Sequence, residues 1–506
     1  MSIISLGFFI LTAVSALVYW IVPKKARWVV LLAASWVFIW FSNKSIPACA
    51  VMLCMLLIAY LAGLVFSKIA ENGVIRRTVM LVSVVIEAGL LVLLKDLGFF
   101  IHIFDGAGET PGFISYLAPV GISYFALSLI SYILDTYWQV QETEKNPLKV
   151  MLFGSYFPLL TSGPIVRYHE TGAQLFEEKT FDYRNFCFGL QRMLWGFFKK
   201  LVIADRVAAL VNTVYADPAA YPGFYVWTAI AAFVLQLYCD FSGCLDILFG
   251  ISQLFGVKLP ENFDLPFISR NLSEFWRRWH ITLGLWLKDY ILYPVLKSSL
   301  FQSFGKLCRS KFGKKYGKKI PTICGLLISW FLIGFWHGGG WNYIVGVGLW
   351  MWFVISLGEF LEPLLKWLTK TLRIKTDTFS WHLFQSVRTF LIYMAGIALF
   401  RAESLRSGLE LFGAGLGTFN PRIFADGSLL ELGLSGKDIT VVLLSLLVII
   451  AAVAIRITAK VPVREWMARQ NIVFRWLIWF ALIIAVIVFG QYGPGYNAAD
   501  FIYGGF

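Results

Sequence analysis

Residues 224–256 read FYVWTAIAAFVLQLYCDFSGCLDILFGISQLFG, in which Asp240 and Asp246 are the only charged side chains. A helix crosses a bilayer with about 20 apolar residues, and no proline interrupts this run to stop a helix midway. The stretch therefore predicts a membrane helix. Its two carboxylates predict more, because a charge at that depth is costly unless it is paired or faces a cavity. Working outward, apolar stretches long enough to span, or nearly so, occur at 3–22, 28–42, 46–66, 78–94, 113–134 and 186–214, the last broken by charges. Others occur at 320–336, 341–361, 383–400, 438–455 and 472–490.

Composition agrees. Of 506 residues, 58% are hydrophobic and 15% charged, with a mean hydropathy of +0.71. Ordinary soluble domains carry about 25% charged residues. Disorder is excluded, since it needs low hydrophobicity and high charge, and a soluble globular enzyme lacks the charges to cover its surface. The apolar runs lack the alternating segments of about ten residues that build a membrane barrel, and no repeat of 20–50 residues is visible. The expected fold is an all-α polytopic membrane protein. About 11–13 membrane helices, with re-entrant or amphipathic helices, would surround a central polar cavity or tunnel. One integral-membrane domain, 1–506, is expected, with amino-terminal helices over 1–136, a motif-bearing core over 137–362 and carboxyl-terminal helices over 363–506.

The net charge of +14 reads as Lys and Arg retained in cytoplasmic loops, with no nucleic acid involved. Lys24, Lys25 and Arg27 follow the first span, and Lys68, Arg76 and Arg77 follow the third. Segment 306–319 carries Lys306, Arg309, Lys311, Lys314, Lys315, Lys318 and Lys319 and no acidic residue. Further basic loops lie at 366–375 and 456–469. Placing all of these inside leaves both termini and the Gly-rich loop 401–437 outside. The run 3–22 reads as a retained span, having no basic residue before it and no small-residue cleavage pattern. Seven cysteines form no C-x-x-C pair, so zinc, redox and disulfide readings have no support, and no metal is expected.

Between 137 and 320 the pattern turns irregular. MLFGSYFPLLTSGPIVRYHE (151–170) is punctuated by Pro158, Gly163 and Pro164, and 257–300 mixes aromatics with charges. Such backbone is tolerated at membrane depth only inside protein or beside water. Chemistry is expected there, and five histidines are the candidates for it: His102, His169, His280, His337 and His382. His337 closes an apolar span in GFWHGGGWN (334–342). Its glycines leave room for close approach to the backbone, and Trp336 and Trp341 could wall a site. The competing reading is a glycine-capped helix end with interfacial tryptophans. The HGGG string also occurs in the oxyanion-hole loop of esterases and lipases, but their nucleophile elbow, G-x-S-x-G, is missing.

His280 ends SEFWRRWH (273–280). On a helix Trp276 and His280 would share a face. A buried structural histidine, with Arg277 and Arg278 facing lipid phosphates, is the competing reading. Asp240 and Asp246 could pair with Arg277 or Arg278, or act directly. His102, His169 and His382 read as structural or solvated. The glycines of GAGLG (413–417) read as loop residues with no preceding strand, hence not a nucleotide site.

SGPIVRY (162–168), LYCDFSGCLDILFGISQLFG (237–256), PENFDLPFISRNLSEFWRRWHITLGLWLKDY (260–290), GFWHGGGWN and FIY (501–503) together resemble the membrane-bound O-acyltransferase family. The likeness is to its bacterial branch of alginate O-acetyltransferases and teichoic-acid D-alanyl transfer proteins, and it runs from about 115 onward in the family's order of motifs. The resemblance implies that His337 matches the family's presumed catalytic histidine and His280 its second motif histidine. Trp336, Trp341, Asn342, Asp240, Ser242, Trp276, Arg277 and Arg278 are the candidate substrate-binding residues. It further implies a cytoplasmic acyl thioester donor, acetyl-CoA or an acyl carrier protein, with no tightly bound cofactor. The acceptor would be a cell-surface polysaccharide, reached directly or through a secreted or membrane-anchored SGNH-type acyltransferase. A bacterial cytoplasmic membrane is the expected location. Two departures fall in one loop: Val295-Leu296-Lys297 follows Tyr293-Pro294 where the branch often turns toward a Gly pair, and Lys288 replaces an expected Arg. The readings are thus O-acetylation of a polysaccharide, D-alanylation of teichoic acid from a carrier protein, or, in other classes, a transporter, a channel or a non-catalytic scaffold.

Overall fold

The computed structural model describes residues 1–69, 73–105 and 111–493, so the FIY string at 501–503 lies outside the described residues. Among those residues there is no strand, only an isolated antiparallel bridge between Phe263 and Trp279. Nine helices among them are long and apolar enough to cross a membrane, and Leu6–Ile21 is a shorter apolar helix of 16 residues. The chain is an all-α, multi-pass membrane protein.

Local chemistry sets the helix starts. Ser5, Ser45, Ser298 and Thr378 each accept a hydrogen bond from a first-turn backbone N–H, supplying one of the partners that a helix start lacks. Two expected spans are cut. Ala118-Pro119 ends Gly112–Leu117 before Ile122–Tyr137 begins, since proline bars the residue before it from helical geometry. Over 186–214, Tyr183–Phe197 widens into a π-helical turn, Phe198–Ala204, before Asp205–Ala216. Lys199 and Lys200 lie in that turn and are buried. The loop expected at 401–437 contains the helix Leu405–Gly417, so GAGLG is helical.

Helix Ser299–Trp336 is broken at Gly313 (φ 70°, ψ 172°). The chain folds back there, because Gly317 lies directly on the backbone of Cys308 and Arg309. On a continuous helix, residues eight apart stand about 12 Å from each other. The basic run 306–319 is therefore the tip of a helical hairpin, and its second arm, 314–336, leads to His337.

The chain forms two compact units. The first comprises Met1–Val202, Cys239–Pro260 and the chain from Ile455. In it, Ile122–Tyr137 is buried from Ile122 to Thr136 against Ile46–Lys68 and Val74–Lys95. Helix Tyr183–Phe197 meets residues 239–254 glycine to glycine, Gly189 on Gly250 and Gly196 on Gly243. The spacing of seven in both helices lets the backbones touch, as small residues do in membrane helix pairs. Helix Ile472–Phe489 buries no residue. Apart from Arg475 it is apolar, so its exposed surface suits lipid.

The second unit comprises Ile203–Tyr238 and Glu261–Ala454. Here 314–336 packs on the π-helical turn Ile344–Leu349 that opens the next span, and that turn packs on Phe379–Arg401. Glycines again permit the contact: Gly334 lies on Ile344, Gly348 on Trp330 and Gly346 on Gly396.

Candidate active site

His337 caps the second hairpin arm and is only 3% exposed. Its Nδ1 lies 2.7 Å from the carbonyl oxygen of Ile333. A carbonyl can only accept, so Nδ1 must carry the proton and Nε2 is left as the acceptor nitrogen. The chain leaves through Gly338 (φ 149°) and Gly339 (φ 69°), backbone conformations that L side chains rarely adopt. Gly340 then starts the helical turn Trp341–Tyr343. Asn342 is buried and donates to the Ala402 carbonyl at 2.7 Å, which ties this turn to the end of Phe379–Arg401. Trp341 is 50% exposed.

His280 is not on a helix with Trp276. Helix Leu272–Trp276 ends at Trp276, and His280 adopts φ 48°, ψ 50° immediately before Ile281–Leu287. The reason lies 18 residues earlier in the chain. Phe263 bridges to Trp279, Asp264 N donates to Arg278 O at 2.9 Å, and Ile281 N donates to Asn262 O at 3.1 Å. Asn262 Oδ1 also accepts from both the backbone N and the Oγ1 of Thr282, each at 3.0 Å. The segment 262–264 thus clamps the chain on both sides of His280.

The clamp brings the two histidines together. Their ring centroids are 6.5 Å apart with planes at 89°. Trp336 lies 5.9 Å from His280 and 5.0 Å from His337, and Phe400 stands 5.5 Å from His337. His280 belongs to the segment 255–298 between spans and is 2% exposed. Burial, and then the neighbouring His337, hold its imidazole well below histidine's usual range, so it is neutral at pH 7. Trp276 packs edge-on against Trp330 at 5.0 Å and against Tyr393 at 6.3 Å.

The charges sort differently from expectation. Arg278 pairs with Glu274 at 3.0 Å, and Arg277 is exposed. Within the first unit, Asp240 Oδ1 is 2.5 Å from Lys200 Nζ, and Asp246 binds Lys199 at 2.6 Å and Arg192 at 2.8 Å. Ser242 Oγ accepts from Lys199 Nζ at 2.8 Å. Sequence reasoning missed Lys199, Lys200 and Asn262. The first two had a signal, adjacent lysines inside the apolar string GFFKKLVIA (196–204). Of the remaining histidines, His102 is exposed and His169 Nδ1 lies 3.3 Å from Asp135.

A buried histidine pair at the end of a span, with a His337 tautomer that leaves a basic nitrogen, gives this membrane protein a candidate site for proton transfer. Residues 94–309 match the model of the membrane-bound O-acyltransferase family, a range that includes His280. The chain belongs to that family: it is a membrane O-acyltransferase and uses an acyl donor. It is 31% identical over 402 residues to a protein of Pseudomonas fluorescens named probable alginate O-acetylase, covering 78% of this chain and 71% of that one. It is 30% identical over 371 residues to the peptidoglycan O-acetyltransferase of Helicobacter pylori, covering 67% and 65%. To the teichoic acid D-alanyltransferase of Bacillus subtilis it is 28% identical over 260 residues, covering 50% and 60%.

Proposed function

We propose that this enzyme moves an acetyl group from a cytoplasmic thioester, acetyl-CoA or an acyl carrier protein, to a hydroxyl, for modification of a polysaccharide outside a bacterial cytoplasmic membrane. The 2.7 Å bond from His337 Nδ1 to the Ile333 carbonyl carries this reading, because it presents Nε2 as a base. Nε2 takes the proton of the acceptor hydroxyl as its oxygen attacks the thioester carbonyl. The tetrahedral intermediate collapses, the C–S bond breaks, and the departing thiolate takes the proton from the imidazolium. An ester and a free thiol result. Neutral His280 orients the reacting groups, while Trp336 and Phe400 keep water from the thioester.

Relatives named for O-acetylation match over 78% and 67% of this chain, which supports acetyl. The second reading, D-alanyl transfer to teichoic acid from a carrier protein, is supported by a match over 50%. The acceptor is the polysaccharide itself or an SGNH-type acyltransferase that relays the group. The test measures base-labile acyl esters on surface and secreted polymer at matched membrane abundance. His337→Ala should lose about 10²- to 10⁴-fold in turnover. His337→Gln retains a donor for Ile333 but cannot take a proton, and should fail too. Released acetate supports the first reading and released alanine the second. Wild-type ester content in the Ala variant would overturn the role of His337.

A further inference from the structure

The Nε1 atom of Trp276 is buried and has no hydrogen-bond partner among the described residues. Buried tryptophan N–H groups ordinarily find an acceptor, since leaving one unmet is costly. A persistent open donor inside an enzyme that binds an elongated polar substrate marks a place where the substrate brings the acceptor. The position of Trp276 says which part of the substrate that is. Its ring packs against Trp330 at 5.0 Å. Trp330 and His337 are seven residues apart on the arm 314–336. They therefore share a helix face and are separated by about 10 Å along the axis. Trp330 lies toward the basic tip 306–319, the side from which the donor arrives in the proposed function.

Coenzyme A and acyl carrier proteins present the same pantetheine arm to an enzyme. From the thioester sulfur the arm runs through two methylenes to a proximal amide, then two methylenes to a distal amide. In an extended arm the proximal carbonyl carbon is about 5 Å from the sulfur and the distal one about 10 Å, at ordinary bond lengths. With the acyl carbon at His337, the distal amide reaches the level of Trp330 and Trp276. We infer that Trp276 Nε1 donates a hydrogen bond to the distal amide carbonyl of a pantetheine thioester and so recognises the length of the donor arm. The inference rests on the thioester reading above.

The test uses the full-length protein in detergent and measures binding of four probes. These are acetyl-CoA, an acetylated carrier protein, S-acetyl-pantetheine and S-acetyl-N-acetylcysteamine, the last having only the proximal amide. Trp276→Phe keeps an aromatic ring and removes the N–H. It should weaken S-acetyl-pantetheine by about 3- to 10-fold, the range of one hydrogen bond, and leave S-acetyl-N-acetylcysteamine unchanged. That unchanged probe, with an unchanged melting temperature, reports an intact site. Acetyl-CoA or the carrier protein should weaken by the same factor, and whichever the unaltered protein binds identifies the source of the arm. Equal loss for both short thioesters, or loss for neither, would overturn the role of Trp276. If the unaltered protein binds no thioester, the donor reading itself fails, and this inference with it.

Discussion

His280 sits at φ 48°, ψ 50°, a left-handed conformation that costs most L residues roughly 1–2 kcal/mol. Asparagine enters that region more easily than other non-glycine residues, and its side-chain amide can hydrogen-bond to a substrate group as an imidazole can. His280→Asn should therefore keep membrane abundance and part of the turnover, whereas His280→Val, branched at Cβ, should lose both. Immunoblotting of membranes beside the ester assay checks this, and an Asn variant as inactive as His337→Ala would end the division of roles. The same residue sets a pH dependence. Burial holds its folded pKa below histidine's ordinary value, so below about pH 6.5 the unfolded chain binds a proton that the folded chain refuses. Stability must then fall as the pH drops. Melting temperatures at pH 7.5 and 5.0 should differ less in His280→Asn than in the unaltered protein. Asp240 offers a second residue-scale test. Lys200 is 1% exposed with Asp240 Oδ1 at 2.5 Å, and removing one partner of a buried pair costs about 3–5 kcal/mol. Asp240→Asn should lower the melting temperature sharply, and adding Lys200→Met should recover much of it.

Between elements, the glycine contacts decide how close two helices come. A Cβ at position 196 would collide with the Gly243 carbonyl, which is backbone and cannot swing aside. Gly196→Leu should therefore force Tyr183–Phe197 away from residues 239–254, with an overpacking cost of about 1–3 kcal/mol or more. Size-exclusion profiles after heating in detergent would register it, and an unshifted profile would mean that the helices separate without penalty. These contacts also explain what could be read from the chain in advance. Helix length and apolarity need only neighbouring residues, so 224–256 was legible, and so was the span ending at His337. A turn such as that at His280 depends on Asn262 and Asp264, 18 and 16 positions earlier, and a local helical reading of SEFWRRWH carried the helix four residues too far. Asp240 and Asp246 were legible as needing cations. Which cations depends on which helix lies alongside, and nothing within residues 237–256 names Tyr183–Ala204.

At the scale of the whole molecule, the bilayer completes the structure, because Ile472–Phe489 buries nothing and Gly436–Ala459 only Ser445. The same bilayer fixes which way the hairpin that leads to His337 faces. Lys306, Arg309, Lys311, Lys314, Lys315 and Lys318 are exposed around the Gly313 turn. Each would cost about 2.5–3.5 kcal/mol to place at the membrane centre, so the tip stays on the side where basic loops are retained. From residue 314 to 336 the arm rises about 34 Å, enough for the roughly 30 Å hydrocarbon core. His337 then stands near the opposite face, where half-exposed Trp341 fits the aromatic belt of the interface. In the proposed function, an enzyme so oriented would join a donor made inside to an acceptor outside without moving either across the lipid. The check replaces the seven cysteines and introduces Lys314→Cys or Trp341→Cys. A membrane-impermeant maleimide should label position 341 in intact cells, and position 314 only after the membrane is opened. Efficient labelling of 314 from outside would invert the hairpin, put the basic tip on the acceptor side and leave the donor to approach His337 from the wrong end.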